Sequence, residues 1–407
     1  MLLTVSKRLE FSASRRLFVS RWTEKQNLAA FGPESAARHG TGRNYRVYFV
    51  FSGPVDPVTG MLINISEIKE RAGRIVRDNY DHRFLNEDNP AFGPAAAVPP
   101  TSENIARQLY ADVAPLFSDV AATLVACHLI ESPDRSATFY SDGACDANYW
   151  FEFSAARRTM SPHLTPEENR RRFGSASGLH GHNYRARLTF RTPKPTHEMP
   201  VVPHDKVTGA MDSLRAELDH RYLNEDVPGL KNRPITTESL ADYIYERAHA
   251  VIPAHRVRLH ERDDFFAEAW GRRRIFLGMR TTFSAAHRLH VTKFSEEKNA
   301  SLFGKCNNPR GHGHLYIAEA TLGGDYDERA GTLYDFGAFQ NAMQESIAPW
   351  RDRHLDLETE DFRDKPSTGE NIVRELWAKI DNRVGQQLMR LRLWETANNR
   401  FTLRRTA

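Results

Sequence analysis

Three histidines in the last third of this 407-residue chain have the spacing of a shared metal site. His312 and His314 stand two apart in the run Gly311-His312-Gly313-His314. On a strand, residues two apart face the same way. His287 closes the earlier run Phe283-Ser284-Ala285-Ala286-His287, on a strand placed to pair alongside. Three imidazoles with a fourth position open make a catalytic zinc site, not a closed structural one. The plain alternative is three hydrogen-bonded histidines, and it would suffice for a His-x-His alone. The third histidine on a neighbouring strand, with Cys306 close by, favours metal.

The elements that would position these residues occur three times. Phe283–His287 repeats the earlier runs Phe11–Arg15 and Phe153–Arg157. His314-Leu315-Tyr316 repeats Arg43-Asn44-Tyr45 and His182-Asn183-Tyr184. Asp81–Asp88 matches Asp219–Asp226, and Ser367–Asn371 matches Pro100–Asn104 and Ile235–Ser239. Four landmarks in constant order, about 135 residues apart, describe a repeated domain and not a solenoid. Units of 1–142, 143–271 and 272–407 follow, with boundaries near Gly143 and near Gly271–Arg274. Each begins with a strand, on which Leu9, Phe11 and Ala13 alternate. A second strand (Asn44–Ser52) and a helix (Ser66–Asn79, or Phe336–Ile347) come next. A second helix starts after the Thr/Glu landmark, where Ser367-x-x-Glu370 has the form of a capping box. Strands such as Leu388–Glu395 and Asn399–Leu403 close the unit. Strand pairs flanking helix pairs predict an α+β fold on an antiparallel sheet.

Lys and Arg number 56 against 52 Asp and Glu, too balanced to argue for nucleic acid or an anionic membrane. The runs Arg170–Arg172 and Arg272–Arg274 read as solvated faces. Cys127, Cys145 and Cys306 cannot build a disulfide framework and fit a reducing compartment. The N-terminal residues do not have the pattern of a signal peptide, and no apolar run approaches a membrane span. A cytoplasmic protein is expected.

The runs FSAAH and GKCNNPRGHGH, the T-x-EN landmark and the late Trp394-Glu395-Thr396 resemble the 6-pyruvoyl-tetrahydropterin synthase family. That family includes the 6-carboxytetrahydropterin synthases of the queuosine pathway. The resemblance spans the chain three times and is sharpest in the third unit. It implies the T-fold, three copies closing a pseudo-trimeric twelve-stranded barrel, and two such rings stacked as a homodimer of this chain. It further implies zinc on His287, His312 and His314, Cys306 as a general base, and Glu395 anchoring a pterin. Thr368 and Glu370 line the pterin pocket in this reading, or else cap a helix.

The units are unequal. Unit one has Arg15, Thr41 and Arg43 at the three histidine positions; unit two keeps His180 and His182 but has Arg157 at the first. A guanidinium offers a metal no lone pair, so about one zinc per chain is expected. The family's Asp-His pair, which keeps the thiol ionised, shows the opposite distribution. It is present as Asp81-His82 and Asp219-His220, whose alternative role is helix-end capping. Aligned without a gap, Leu355 on Leu85, the corresponding residues of unit three are Arg351 and Asp352; a shifted gap would bring in His354 but no Asp-His dipeptide. The expectation is that unit one or unit two lends its pair to the zinc of unit three across an interface.

A zinc lyase acting on 7,8-dihydroneopterin triphosphate and releasing triphosphate is the leading reading. Five residues separate Cys306 from His312, as in the pyruvoyl-forming type. The 6-carboxy product stays open. A reading of another class is a non-catalytic pterin-binding scaffold. A zinc hydrolase on an unrelated fold leaves the repeats and Glu395 unexplained.

Overall fold

The computed structural model describes residues 1–406. Unit one contributes strands β1 (Leu2–Arg15), β2 (Thr41–Ser52), β3 (Arg83–Phe84), β4 (Thr123–Ser132) and β5 (Arg135–Tyr140). Unit two contributes β6 (Cys145–Arg157), β7 (His180–Thr192), β8 (Arg221–Tyr222), β9 (Arg256–Arg262) and β10 (Phe265–Ala269). Unit three contributes β11 (Ile275–His287), β12 (His312–Gly323), β13 (Arg353–His354), β14 (Leu388–Thr396) and β15 (Asn399–Arg404). The two-residue strands β3, β8 and β13 run parallel to β1, β6 and β11 at their C-terminal halves. The other twelve strands pair antiparallel in a closed barrel.

Three seams join the units. They are β5–β6, β10–β11 and β15–β1, the last setting Lys7 opposite Asn399. The same register sets Tyr149 opposite Arg135 at the first seam and Met279 opposite Phe265 at the second. Closure leaves the barrel without free edges.

The strands alternate as their residues require. On β1, Leu3, Val5, Phe11 and Ala13 are buried against the outer helices. Helix Ile65–Asn79 packs Ile68, Ala72 and Val76 onto them, and Ser102–Val113 packs Ile105, Leu109 and Val113. Corresponding helices are His204–Leu218 with Thr237–Val251, and Phe336–Ile347 with Gly369–Arg383. On β12, Glu319 alternates with the core residues Ala318 and Ala320. Its fully buried carboxylate is held by Arg258 (2.8 Å), Arg280 (2.7 Å) and Arg392 (3.0 Å).

A repeated contact seals each seam. Glu370 accepts the Leu62 N–H of unit one at 2.8 Å, Glu103 accepts the Val201 N–H of unit two at 3.2 Å, and Glu238 accepts the Leu333 N–H of unit three at 3.3 Å. Each unit therefore presents one face to one neighbour and another face to the next, the heterologous contact that closes a ring.

The expected second strand of unit one starts three residues earlier, at Thr41, because its first residues pair with Ser14 and Arg15 of β1. The capping box is not formed. Helix Gly369–Arg383 is capped by Thr368, whose hydroxyl accepts from Asn371 N–H. Ser367 is turned instead toward Asp356, and Glu370 toward unit one.

Candidate metal centre and ligand cavity

The register of β11 on β12 pairs His287 with His312 and Ala285 with His314. Alternation then puts all three imidazoles on one side, and their nearest ligand atoms lie within 4.8 Å of one another. Tetrahedral zinc holds two imidazole nitrogens at ~2.0–2.1 Å each, which spaces them roughly 3.3–3.4 Å apart. His287 Nε2 and His312 Nε2 are 3.2 Å apart. His314 Nε2 is buried and makes no hydrogen bond. Burial, then His287 and His314, push His312 down to about 4, so it stands as the neutral imidazole that metals require. Fully buried His287 faces the Ser367 carbonyl with Nδ1 at 3.0 Å, which leaves Nε2 for the cluster. The donor set and spacing fit zinc.

Glu395, on β14, reaches the cluster from the side, 3.7 Å from His287 Nε2 and 3.8 Å from His314 Nε2. Its other oxygen accepts from Asn399 Nδ2 at 2.8 Å, and Asn399 accepts from Lys7 of unit one at 2.8 Å. A cavity of about 170 Å³ opens beside it. Cys306, Leu289, Phe303, Thr368, Glu370 and Glu395 line one wall, and Lys7, Met61, Ile63 and Lys69 of unit one line the other. Thr368 caps its helix, and its hydroxyl donates to Gly60 O at 2.8 Å. Burial pushes Glu370 up to about 7. Burial, then Glu395, also push the half-buried Cys306 thiol above its usual range. Its ionisation requires a cation.

The same positions in unit one carry salt bridges. Arg15, fully buried where unit three has His287, pairs with Glu131 at 2.5 Å and Glu34 at 3.3 Å. Glu34 also binds Arg43, which stands at the position of His314. Glu34 itself occupies the place of Cys306 in the short helical turn before β2. Burial pushes Glu131 up, but Arg15 overrides it and the carboxyl ends below its ordinary range. In unit two, Arg157 pairs with Glu261 at 2.5 Å and His182 lies 3.1 Å from it. Cys306 has Ala176 as its counterpart there. Ser102 and Thr237 donate hydroxyls to Glu131 and Glu261; unit three has Gly369, so Glu395 carries no such bond.

Neither Asp-His pair lines the Cys306 cavity. Asp81 accepts from Ser12 N–H and Asp219 from Ser154 N–H, both at 2.8 Å, each within its own unit. His82 and His220 are more than four-fifths exposed, on turns with φ of +56°. Asp352 takes that turn in unit three, with φ of +59° and its N–H on Ser284 O at 2.8 Å. The gap-free correspondence of Arg351-Asp352 with Asp81-His82 is therefore the structural one. What unit one does bring to Cys306 is the loop 60–64, Lys7 and the start of helix Ile65–Asn79. Sequence reasoning passed over Lys7, Asn399 and this loop. Only the pairing of β1 with β15 could have indicated the first two.

The protein is thus a ring of three α+β units carrying one trihistidine cluster at the seam between the third unit and the first. A family model described as 6-pyruvoyl tetrahydropterin synthase matches residues 4–142, 148–272 and 277–406. The chain belongs to that family. Human 6-pyruvoyl tetrahydrobiopterin synthase is 38% identical over 136 residues, 32% of this chain and 93% of that protein. The Drosophila melanogaster enzyme of the same name is 36% identical over 132 residues, 32% of this chain and 79% of its own. The solved Caenorhabditis elegans 6-pyruvoyl tetrahydropterin synthase is 34% identical, covering 32% of this chain and 95% of its own, with a TM-score of 0.31. Membership makes the chain a pterin synthase of the lyase type. No helix among the described residues is long and apolar enough to cross a membrane.

Proposed function

We propose that unit three is a zinc-dependent lyase site that converts 7,8-dihydroneopterin triphosphate to 6-pyruvoyl-tetrahydropterin with release of triphosphate. The observation that carries this reading is the convergence of His287, His312 and His314 beside the cavity holding Cys306, Glu395 and Glu370. Zinc held by the three imidazoles would polarise the side-chain oxygens of the substrate and acidify the neighbouring C–H and O–H groups. Glu395, free of the hydroxyl that ties its counterparts, accepts from the N–H groups of the pterin ring and its exocyclic amine. Glu370 and Thr368 close the pocket against the loop of unit one. Cys306 takes a proton from the side chain and returns it.

In the arrangement that the family implies, an imidazole oriented by a carboxylate keeps that thiol ionised. His82 and His220 are exposed, each with Nδ1 on its own aspartate at about 3 Å. We place the source of the pair in a second copy of the chain, in a homodimer of these pseudo-trimers. The mixing experiment uses Cys306→Ala with a His82→Ala, His220→Ala double variant. Activity should return on mixing two inactive proteins. No recovery, with both variants folded and exchanging subunits, would reject the second-copy arrangement.

Turnover of 7,8-dihydroneopterin triphosphate with product identification tests the main reading. The pyruvoyl product keeps the three-carbon side chain, whereas a 6-carboxy product would come with acetaldehyde. Pterin binding without triphosphate release would leave the scaffold reading in its place.

A further inference from the structure

We infer that Asp356 is a positioning residue for the metal centre, acting through Ser367 on His287; this rests on the zinc reading of unit three. The three units make the comparison. Asp356 Oδ2 accepts the Arg288 N–H at 2.8 Å. Asn86 and Asn224 make the same bond in their units, to Arg16 N–H at 2.7 Å and Arg158 N–H at 2.9 Å. Their amides also donate back to the carbonyls of Arg16 (3.1 Å) and Arg158 (3.0 Å). A carboxylate cannot donate, and Asp356 instead gathers two further donors from Ser367: the hydroxyl at 2.9 Å and the N–H at 3.3 Å.

That double hold fixes the residue that faces His287. Ser367 O is 3.0 Å from His287 Nδ1 and Ser367 Oγ is 3.4 Å from it. With its hydrogen donated to Asp356, the hydroxyl turns lone pairs toward Nδ1–H, as the carbonyl does. Both acceptors select the tautomer with the proton on Nδ1 and the Nε2 lone pair toward the cluster. An acceptor held on the second ring nitrogen of a ligating histidine, a backbone carbonyl among them, fixes its tautomer and raises its basicity as a ligand. Units one and two, which have Arg15 and Arg157 in place of this histidine, have neither partner. Pro100 and Ile235 stand at the position of Ser367, and Asn86 and Asn224 at that of Asp356. The relay is present only where there is a histidine to orient.

Asp356→Asn is the direct test, because the sister units show that asparagine satisfies the same backbone donor. Zinc competition against a chelator should show affinity lowered roughly 10–100-fold. Thermal unfolding of the metal-free protein should be unchanged. The Co(II)-substituted variant should show a shifted visible spectrum. Ser367→Ala should weaken zinc as well, and the double variant should lose no more than Asp356→Asn alone. Wild-type zinc affinity in Asp356→Asn, or fully additive losses in the double variant, would overturn the relay. A wild-type protein that binds no zinc would instead overturn the metal reading beneath it.

Discussion

Units one and three start from the same strand pair and end with opposite centres. In unit three, three imidazoles converge and Glu395 remains available; in unit one, Arg15 and Arg43 fill the same space and are neutralised by Glu34 and Glu131. The cavities diverge with the centres. At the seam serving unit three, Lys7, Asn399 and Ile65 leave about 170 Å³. At the seam serving unit one, Tyr149, Arg135 and His204 take the equivalent places and about 30 Å³ remains. The unit without the histidine cluster also has the filled cavity, and the barrel accommodates both arrangements. The guanidinium supplies internally the positive charge that the buried carboxylates would otherwise lack.

Removing a metal ligand should produce the largest separation between the two units. Metal analysis should give about one zinc per chain, since a tetrahedral site needs its full set of lone pairs. His287→Ala should lose zinc and turnover together. A wild-type stoichiometry near zero or near three would break the contrast between units. Next in size is Cys306→Ala. The thiol serves as a base and not a ligand in the proposed chemistry, so zinc should stay while activity falls roughly 10²-fold or more. Full activity would remove Cys306 from the mechanism. Cys127 and Cys145 are fully buried, with burial pushing both thiols far up. Their replacement by alanine should leave turnover near that of the wild type.

The counterpart in unit one is a stability effect. Arg15→Ala removes the nearest cation from Glu131, whose side chain is 2% exposed and which keeps Arg43 at 3.5 Å, Arg135 at 3.6 Å and the Ser102 hydroxyl. Breaking a buried pair from one side costs about 3–5 kcal/mol, and the remaining partners hold the expected loss below that range. Zinc content should not change. The pH sign follows from Glu131, which sits below its ordinary range when folded. Its contribution is present above the unfolded carboxylate value, near ~4.3, and fades as pH falls through the lower folded value. Denaturation profiles should therefore show wild type losing stability into acid more steeply than Arg15→Ala.

Most of the architecture was legible because it is written three times. The helix Phe336–Ile347 appears with the predicted bounds, since Asp335 caps it where the apolar period begins. The imidazole cluster was readable because alternation on a strand converts spacing into direction. The seams were not. Lys7 faces Asn399 across nearly the whole chain, and no local pattern reveals that register. The placement of the Asp-His pairs was hidden for a related reason. A contact with Cys306 within one chain was expected, but the left-handed turn that carries each pair is tied to its own strand and faces outward, away from that cavity. The cap of helix Gly369–Arg383 moved by one residue because Ser367 had a better partner in Asp356.

The smallest effect compares the seam glutamates. Glu238 is buried in unit two, and burial pushes its carboxyl up to about 7. The unfolded chain releases that proton near ~4.3. Between these values the folded protein holds more protons than the unfolded one, so stability falls as pH rises. Glu238→Gln keeps an acceptor for Leu333 N–H, 3.3 Å away in the native contact, and cannot ionise. Its melting temperature should match wild type at pH 4 and exceed it at pH 8, by a few degrees or less. Glu370→Gln should show the same crossover, because its carboxyl is raised by the same burial, but with turnover lowered as well, since among the described residues that seam alone opens beside the three histidines. Equal loss of activity in both variants would mean that the glutamates act on the ring as a whole, and that the seam between units three and one is not set apart by its chemistry.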